Sequence, residues 1–275
     1  MPKERILFVC QEIYPFVPET NQSKIGRKLP HAIQDSGYEI RTFMPRFGNI
    51  NERRNQLHEV IRLSGMNLII NDNDHPLIIK VASIQLARLQ IYFIDNEDFF
   101  QRKFMLHDKN NKFFKDNDER AIFYARGVIE TVKKLGWSPE LIHCHGWLSS
   151  LVPIYIKKAY IDNPLFTETK VIISLYDEEF TATFNKNFPA KIKMEGITDN
   201  DLKQLKNLDY VSLMKMAIDY SDGVILAHET INPELISYLK KSKKPVLSYK
   251  NEQEYVKVYT DFYNEMLAER PVLIQ

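Results

Sequence analysis

Several stretches of this sequence carry side chains able to do chemistry. In Leu141-Ile142-His143-Cys144-His145-Gly146-Trp147 two imidazoles stand two residues apart. On a strand that spacing puts both rings on one face, a geometry that could ligate zinc. No third or fourth ligand accompanies them, so hydrogen-bonded core histidines are the expectation and no metal is assigned. Asp177-Glu178-Glu179 gathers carboxylates of the kind that general acid/base work needs, although three in succession also describe a solvated loop. Asp72 and Asp74 offer oxygen ligands for calcium, but the glycine and distal glutamate of a calcium loop are missing, which leaves a solvated turn. Cys10 and Cys144 lack CxxC spacing and lie in apolar strand contexts, so two reduced, buried thiols are expected.

The elements that must position these groups follow from the apolar pattern. A strand at Arg5–Cys10 leads through a loop to a helix ending near Asp35, where Ser36-Gly37 stops it. A strand at 39–44 completes a βαβ unit. Residues 57–94 read as a β-rich insertion with strands at 59–63, 67–70, 77–82 and 89–94 and a turn over 71–76. A helix begins in 95–102, and 104–114 is a polar loop holding His107 and Asp108. Asp116 caps a long amphipathic helix that ends at Leu135-Gly136, with Arg120 read as a surface charge. Strands at 141–145 and 170–175 deliver the histidines and the acidic run to one sheet edge, where ligand sites of such sheets lie. Residues 185–207 form a polar excursion, and 244–275 supply a closing strand and a helix from Glu252 to Glu269. The fold class is α/β: a single Rossmann-like, doubly wound parallel sheet with an inserted β-meander.

Composition narrows the function classes. The chain has 275 residues, 44% of them hydrophobic, ordinary for a folded globule. Its 37 basic and 36 acidic side chains nearly cancel, which argues against nucleic acid or an anionic membrane as partner. No run of about 18 apolar residues exists and the amino terminus passes directly into a strand, so a cytoplasmic protein is expected.

Glu12-Ile13-Tyr14-Pro15-Phe16 and the following loop and helix to Pro30, then Gly37 to Gly48, resemble without a gap the E-x-x-P-F-x-K-T-G-G-L-x-D-V-x-x-x-L-P and G-H-E-V-R-x-x-x-P-x-Y-G segments of bacterial glycogen and starch synthases. The 143–153 block resembles the family's HxHDWH-then-LVP segment, and 212–228 its N-F-L-K-x-G-x-x-Y-A-D segment. The resemblance implies the amino-terminal half of a GT-B fold, from a family that transfers glucose from ADP-glucose to an α-glucan with retention. It covers roughly Arg5 to Leu239, and no carboxy-terminal donor-nucleotide domain is expected in this chain.

The departures matter as much. Pro18, Glu19, Thr20, Asn21 and Lys24 replace the family's lysine, threonine, two glycines and aspartate. A prolyl nitrogen, a carboxylate and two Cβ atoms disfavour a diphosphate, so ADP-glucose should bind poorly. A rewired loop using Lys24 is the alternative. Gly146 stands where the family has aspartate, and Tyr176 and Asp177 fall on its histidine and asparagine. By resemblance, His145, Trp147, Tyr176 and Asp177 line a sugar pocket, with Glu12 and Lys24 at its rim. No catalytic residue, metal or cofactor is assigned. The expected role is binding of α-glucan or malto-oligosaccharide in support of glycogen synthesis, with a homo-oligomer or a partner chain completing the cleft. Active ADP-glucose-dependent transfer, and a structural or regulatory role with no sugar site, are the alternatives.

Overall fold

The computed structural model describes residues 3–251 and 254–268. The first strand, β1 (Arg5–Cys10), is an apolar run buried along nearly its whole length, as a central strand covered on both faces must be. It leads to α1 (Asn21–Asp35), started by a capping box in which Thr20 and Ser23 exchange backbone and hydroxyl hydrogen bonds of 2.8 and 2.9 Å. Then come β2 (Glu39–Pro45), β3 (His58–Glu59), β4 (Met66–Ile70), β5 (Asn73–Ile84), β6 (Leu89–Asp95), α2 (Glu97–Phe100) and α3 (Asn117–Leu135). The remainder is β7 (Leu141–His145), α4 (Val152–Ile154), β8 (Lys170–Leu175), α5 (Phe188–Ile192), α6 (Tyr210–Tyr220), β9 (Gly223–Leu226), α7 (Pro233–Lys241), β10 (Val246–Leu247) and α8 (Tyr255–Ala268).

The sheet order is β10-β9-β8-β7-β1-β2-β6-β5-β3, with β4 on β5. From β10 to β6 each neighbouring pair is parallel, and β3, β4 and β6 pair with β5 antiparallel. Alternation along β7 sends its residues to opposite faces. His143 meets Tyr263 of α8 on one face, and α1 lies beside α8. Against the other face pack α3, α4 and α6. The α/β, mostly parallel architecture expected from the sequence is the one observed.

Several local expectations change. The strand at 59–63 is only the two-residue β3, because Val60 and Ile61 turn back on Leu63 and Ser64, and Ile61 is left exposed. The turn over 71–76 shrinks to Asn71 and Asp72, both at positive φ as a tight hairpin requires, so Asp74 lies within β5. Within the insertion, β6 joins the parallel sheet beside β2 and β5 continues it antiparallel. Asp116 spends its carboxylate on Arg102 (2.7 Å) and makes no side-chain cap. The 185–207 excursion is anchored: Lys191 reaches Asp118 at 2.8 Å and Glu119 at 2.7 Å. Of the closing helix, Glu252 and Glu269 lie outside the described residues.

Arg120 is the largest correction. It is wholly buried, donating to the Phe99 carbonyl (2.7 Å) and to Asn117 Oδ1 (2.6 Å) and lying over the Phe100 ring. Its guanidinium ties the start of α3 to α2. Arg120→Ala should therefore lower unfolding free energy by roughly 2–4 kcal/mol through orphaned acceptors and a cavity, read as an earlier urea midpoint. An unchanged midpoint contradicts this role.

The histidines are core residues. His143 Nδ1 lies 2.5 Å from Tyr263 Oη and Nε2 2.7 Å from Ser174 Oγ, while His145 Nδ1 lies 2.7 Å from Tyr176 Oη. Burial holds both imidazoles neutral, depressing His143 well below the ordinary range and His145 to about 3. The unfolded chain takes up these protons below a pH of ~6.5 while the native protein does not. This contribution to stability is thus whole above that pH and is lost as pH falls from there toward 3. Of the seven histidines, two should show imidazole NMR shifts that stay constant between pH 8 and 5; titration of all seven near neutrality contradicts the assignment.

Candidate functional site

The carboxyl ends of β1, β7, β8 and β9 open into a cleft of about 760 Å³. Each strand passes into a polar segment at this edge: Gln11 and Glu12 after β1, Trp147 after β7, Tyr176 to Ala182 after β8, His228 after β9. The first turn of α1 and the loop holding His107 and Phe113 close the sides. That loop is folded as a small antiparallel bridge between His107 and Phe113, with Asp108 Oδ1 accepting the Lys112 amide at 2.9 Å.

Four of the six residues expected at a sugar site, Glu12, Trp147, Tyr176 and Asp177, line this cleft. His145 is fully buried and contributes by holding the Tyr176 hydroxyl. Lys24 is elsewhere: it pairs with Glu19 at 3.1 Å and faces a separate groove with Arg27 and Tyr14. Trp147 is only 2% exposed because Phe113 and Phe180, stacked on each other with centroids 4.5 Å apart, cover it. The aromatic wall is thus a cluster rather than one indole, and Phe113 and Phe180 escaped sequence reasoning because they sit in irregular segments without periodicity.

Gly146 makes the turn from β7 into the cleft at φ +86°, a conformation that favours glycine. A Cβ here would lie 2.0 Å from Gln22 Nε2, 2.8 Å from Gln11 Cβ and 3.0 Å from Gln11 Oε1. Two glutamine side chains therefore fill the space over this glycine. Both are buried, and neither was singled out in the sequence, although Gln11 directly follows β1 at the sheet edge. Gln11 accepts the Leu148 amide at 3.1 Å and donates to Glu178 Oε2 at 3.4 Å.

Four carboxylates face the cleft, Glu12, Asp177, Glu178 and Glu179, against one lysine, Lys112, and two histidines. Glu12 takes the Thr20 hydroxyl at 2.7 Å, yet desolvation raises its pKa. Glu178 is half-buried and raised well above the ordinary carboxylate range, first by burial and then by the Glu12 charge. The Trp147 amide favours its charged form, but Oε1, shielded from solvent, closes no hydrogen bond. Glu179 is held by Asn232 at 2.8 Å. Such a lining is rich in oxygen acceptors for hydroxyl groups and poor in cations. Among the described residues no group of three or more His, Cys, Asp or Glu side chains is disposed to hold a metal ion, and none of the helices is long and apolar enough to cross a membrane.

Comparison with known proteins agrees with this architecture. Residues 5–247 match the family model described as the starch synthase catalytic domain. The glycogen synthase of Chlorobium limicola is 35% identical over 174 residues, 63% of this chain and 36% of the relative. That of Chlorobaculum tepidum is 35% identical over 234 residues, 84% of this chain and 47% of the relative. The chain thus spans less than half the length of these curated relatives. Among solved structures, the catalytic domain of starch synthase IV from Arabidopsis thaliana, bound to ADP and acarbose, superposes with a TM-score of 0.72 at 16% identity, over 91% of this chain and 52% of that one. With a match over most of its length, this chain belongs to the starch synthase catalytic domain family.

Proposed function

We propose that this protein acts in α-glucan metabolism as a glycosyltransferase-like glucan-binding protein of the cytoplasm, and that its cleft takes an uncharged malto-oligosaccharide in preference to a nucleotide sugar. The observation that carries the reading is the lining of the cleft: an aromatic cluster of Phe113, Trp147 and Phe180 beside four carboxylates and a single lysine. A sugar ring offers an apolar face to the first and hydroxyl groups to the second. A diphosphate needs cationic or backbone N–H partners. Here Pro18 and Glu19 precede α1, and Lys24 is engaged by Glu19 outside the cleft.

The family assignment favours a second reading, ADP-glucose-dependent glucosyl transfer, with donor-side groups supplied by another chain or by a second copy of this one. A thermal-shift titration of the purified protein with maltoheptaose, ADP and ADP-glucose separates the two. Maltoheptaose alone should raise the melting temperature, by the equivalent of ~2.7 kcal/mol at a hundredfold excess over Kd. A shift with ADP-glucose, accompanied by transfer of labelled glucose to glycogen, replaces the first reading with the second.

A further inference from the structure

A second groove, of about 350 Å³, lies apart from the cleft and shares no lining residue with it. Its sides come from the loop after β1, from α1, from the loop after β2 and from the end of β5, and two arginines face it, Arg27 of α1 and Arg54. Among the described residues no carboxylate lines this groove, although the chain carries 36 acidic side chains against 37 basic ones. The acids of the adjoining segments are committed to other cations. Glu19 pairs with Lys24 at 3.1 Å, and Glu52 pairs with Lys80 at 2.7 Å and with Arg46.

The packing of the loop after β1 against α1 explains how Arg27 comes to face this groove. The Tyr14 amide donates to the Ser23 carbonyl at 3.0 Å, and Gly26 lets the Glu12 carbonyl come so close that a Cβ there would lie 2.4 Å from it. Arg27, one residue further on, then lies over the Tyr14 ring, 5.3 Å from its centroid. Its guanidinium enters no ion pair or hydrogen bond among the described residues. Arg54 is tied through its backbone, whose amide donates to Asn51 Oδ1 at 2.9 Å, and its guanidinium is likewise uncommitted. Phe16, edge-on to Phe93 of β6 at 4.9 Å, anchors an apolar floor between them, and the exposed amides of Gln56 and Gln85 stand at the rim. One solvated arginine is ordinary on a protein surface. Two that face a single groove without a carboxylate complement a dianion charge for charge.

We propose that this groove is a second ligand site, which takes a small phosphate monoester of a sugar or polyol, with the phosphate held by Arg27 and Arg54 and the hydroxyl-bearing part lying over Phe16 toward Gln56 and Gln85. A phosphate monoester carries a charge of about −1.5 to −2 at neutral pH and presents three acceptor oxygens, enough for both guanidinium forks, whereas a carboxylate answers only one. The side-chain amides at the rim donate to and accept from hydroxyl groups. Both arginines are open to solvent, Arg27 in part and Arg54 fully, so a ligand reaches them without rearrangement of the fold.

The experiment is calorimetric titration of the full chain with ribose 5-phosphate, inorganic phosphate and ribose, for the native protein and for Arg27→Gln, Arg54→Gln and Arg53→Gln. Arg53 is exposed beside Arg54 but does not line the groove, so its variant removes the same surface charge without touching the site. Ribose 5-phosphate should saturate the native protein, inorganic phosphate should bind more weakly and ribose should not bind. Arg27→Gln and Arg54→Gln should each weaken ribose 5-phosphate by at least about tenfold, the loss typical of hydrogen bonds to charged groups, and Arg53→Gln should leave it unchanged. Arg54 is exposed, so Arg54→Gln decides the matter even where Arg27→Gln fails to fold. No saturation of the native protein, an equal loss in Arg53→Gln, or no loss in Arg54→Gln overturns the site, and equal affinity for inorganic phosphate overturns the ester. None of these outcomes bears on the glucan-binding role of the cleft, which shares no residue with the groove.

Discussion

The constraint on which the site depends is the backbone of Gly146. At φ +86° it lets the chain leave β7 and turn at once into the segment holding Trp147, and its bare Cα makes room for Gln11 and Gln22. The same strand end is fastened from the other side, where the Gln11 amide donates to the His145 carbonyl at 2.9 Å. A residue with a Cβ would need both an unfavourable φ and a displaced glutamine. Below the turn, His143 and His145 hold Tyr263, Ser174 and Tyr176, so the floor stands on a hydrogen-bonded core. The ends of β1, β7 and β8 are therefore tied together by hydrogen bonds beneath the cleft.

Electrostatics then selects what the shape admits. Burial raises Glu178 and Glu12, and the Glu12 charge further disfavours ionisation of Glu178. Such a pair offers hydroxyl groups oxygen partners at the mouth of β1 and β8. Cationic side chains are gathered elsewhere, with Lys24, Arg27 and Lys28 along α1 facing a separate groove. The fold is that of its family, and function follows the site more closely than the fold.

Much of the architecture was legible because it rests on local signals. Long apolar runs gave β1, β7 and β8, and glycines at 37 and 136 gave two helix ends. The site was legible in part. Glu12, Trp147, Tyr176 and Asp177 could be placed at the sheet edge because they follow strands, but Lys24 was drawn toward the cleft by its loop, and the helix turns it away. Burial of charge was not readable: Arg120 looks like any helix-surface arginine until Phe47, Phe100 and Phe114 are seen around it. Glu178 was hidden in the run Asp177-Glu178-Glu179, where only the tertiary fold distinguishes the middle residue, half-buried, from its two exposed neighbours. The roles of Gln11 and Gln22 are likewise tertiary, since they exist only through the space that Gly146 leaves.

The central claim is that the cleft binds an uncharged glucan on its floor and aromatic wall. Its most direct test is a nitrogen–proton NMR titration that follows the side-chain amide of Gln22 and the indole of Trp147. Maltoheptaose should move both signals along one saturable curve, and ADP-glucose should leave them in place. Movement with ADP-glucose, or saturation with maltoheptaose that leaves both signals unmoved, would contradict the account.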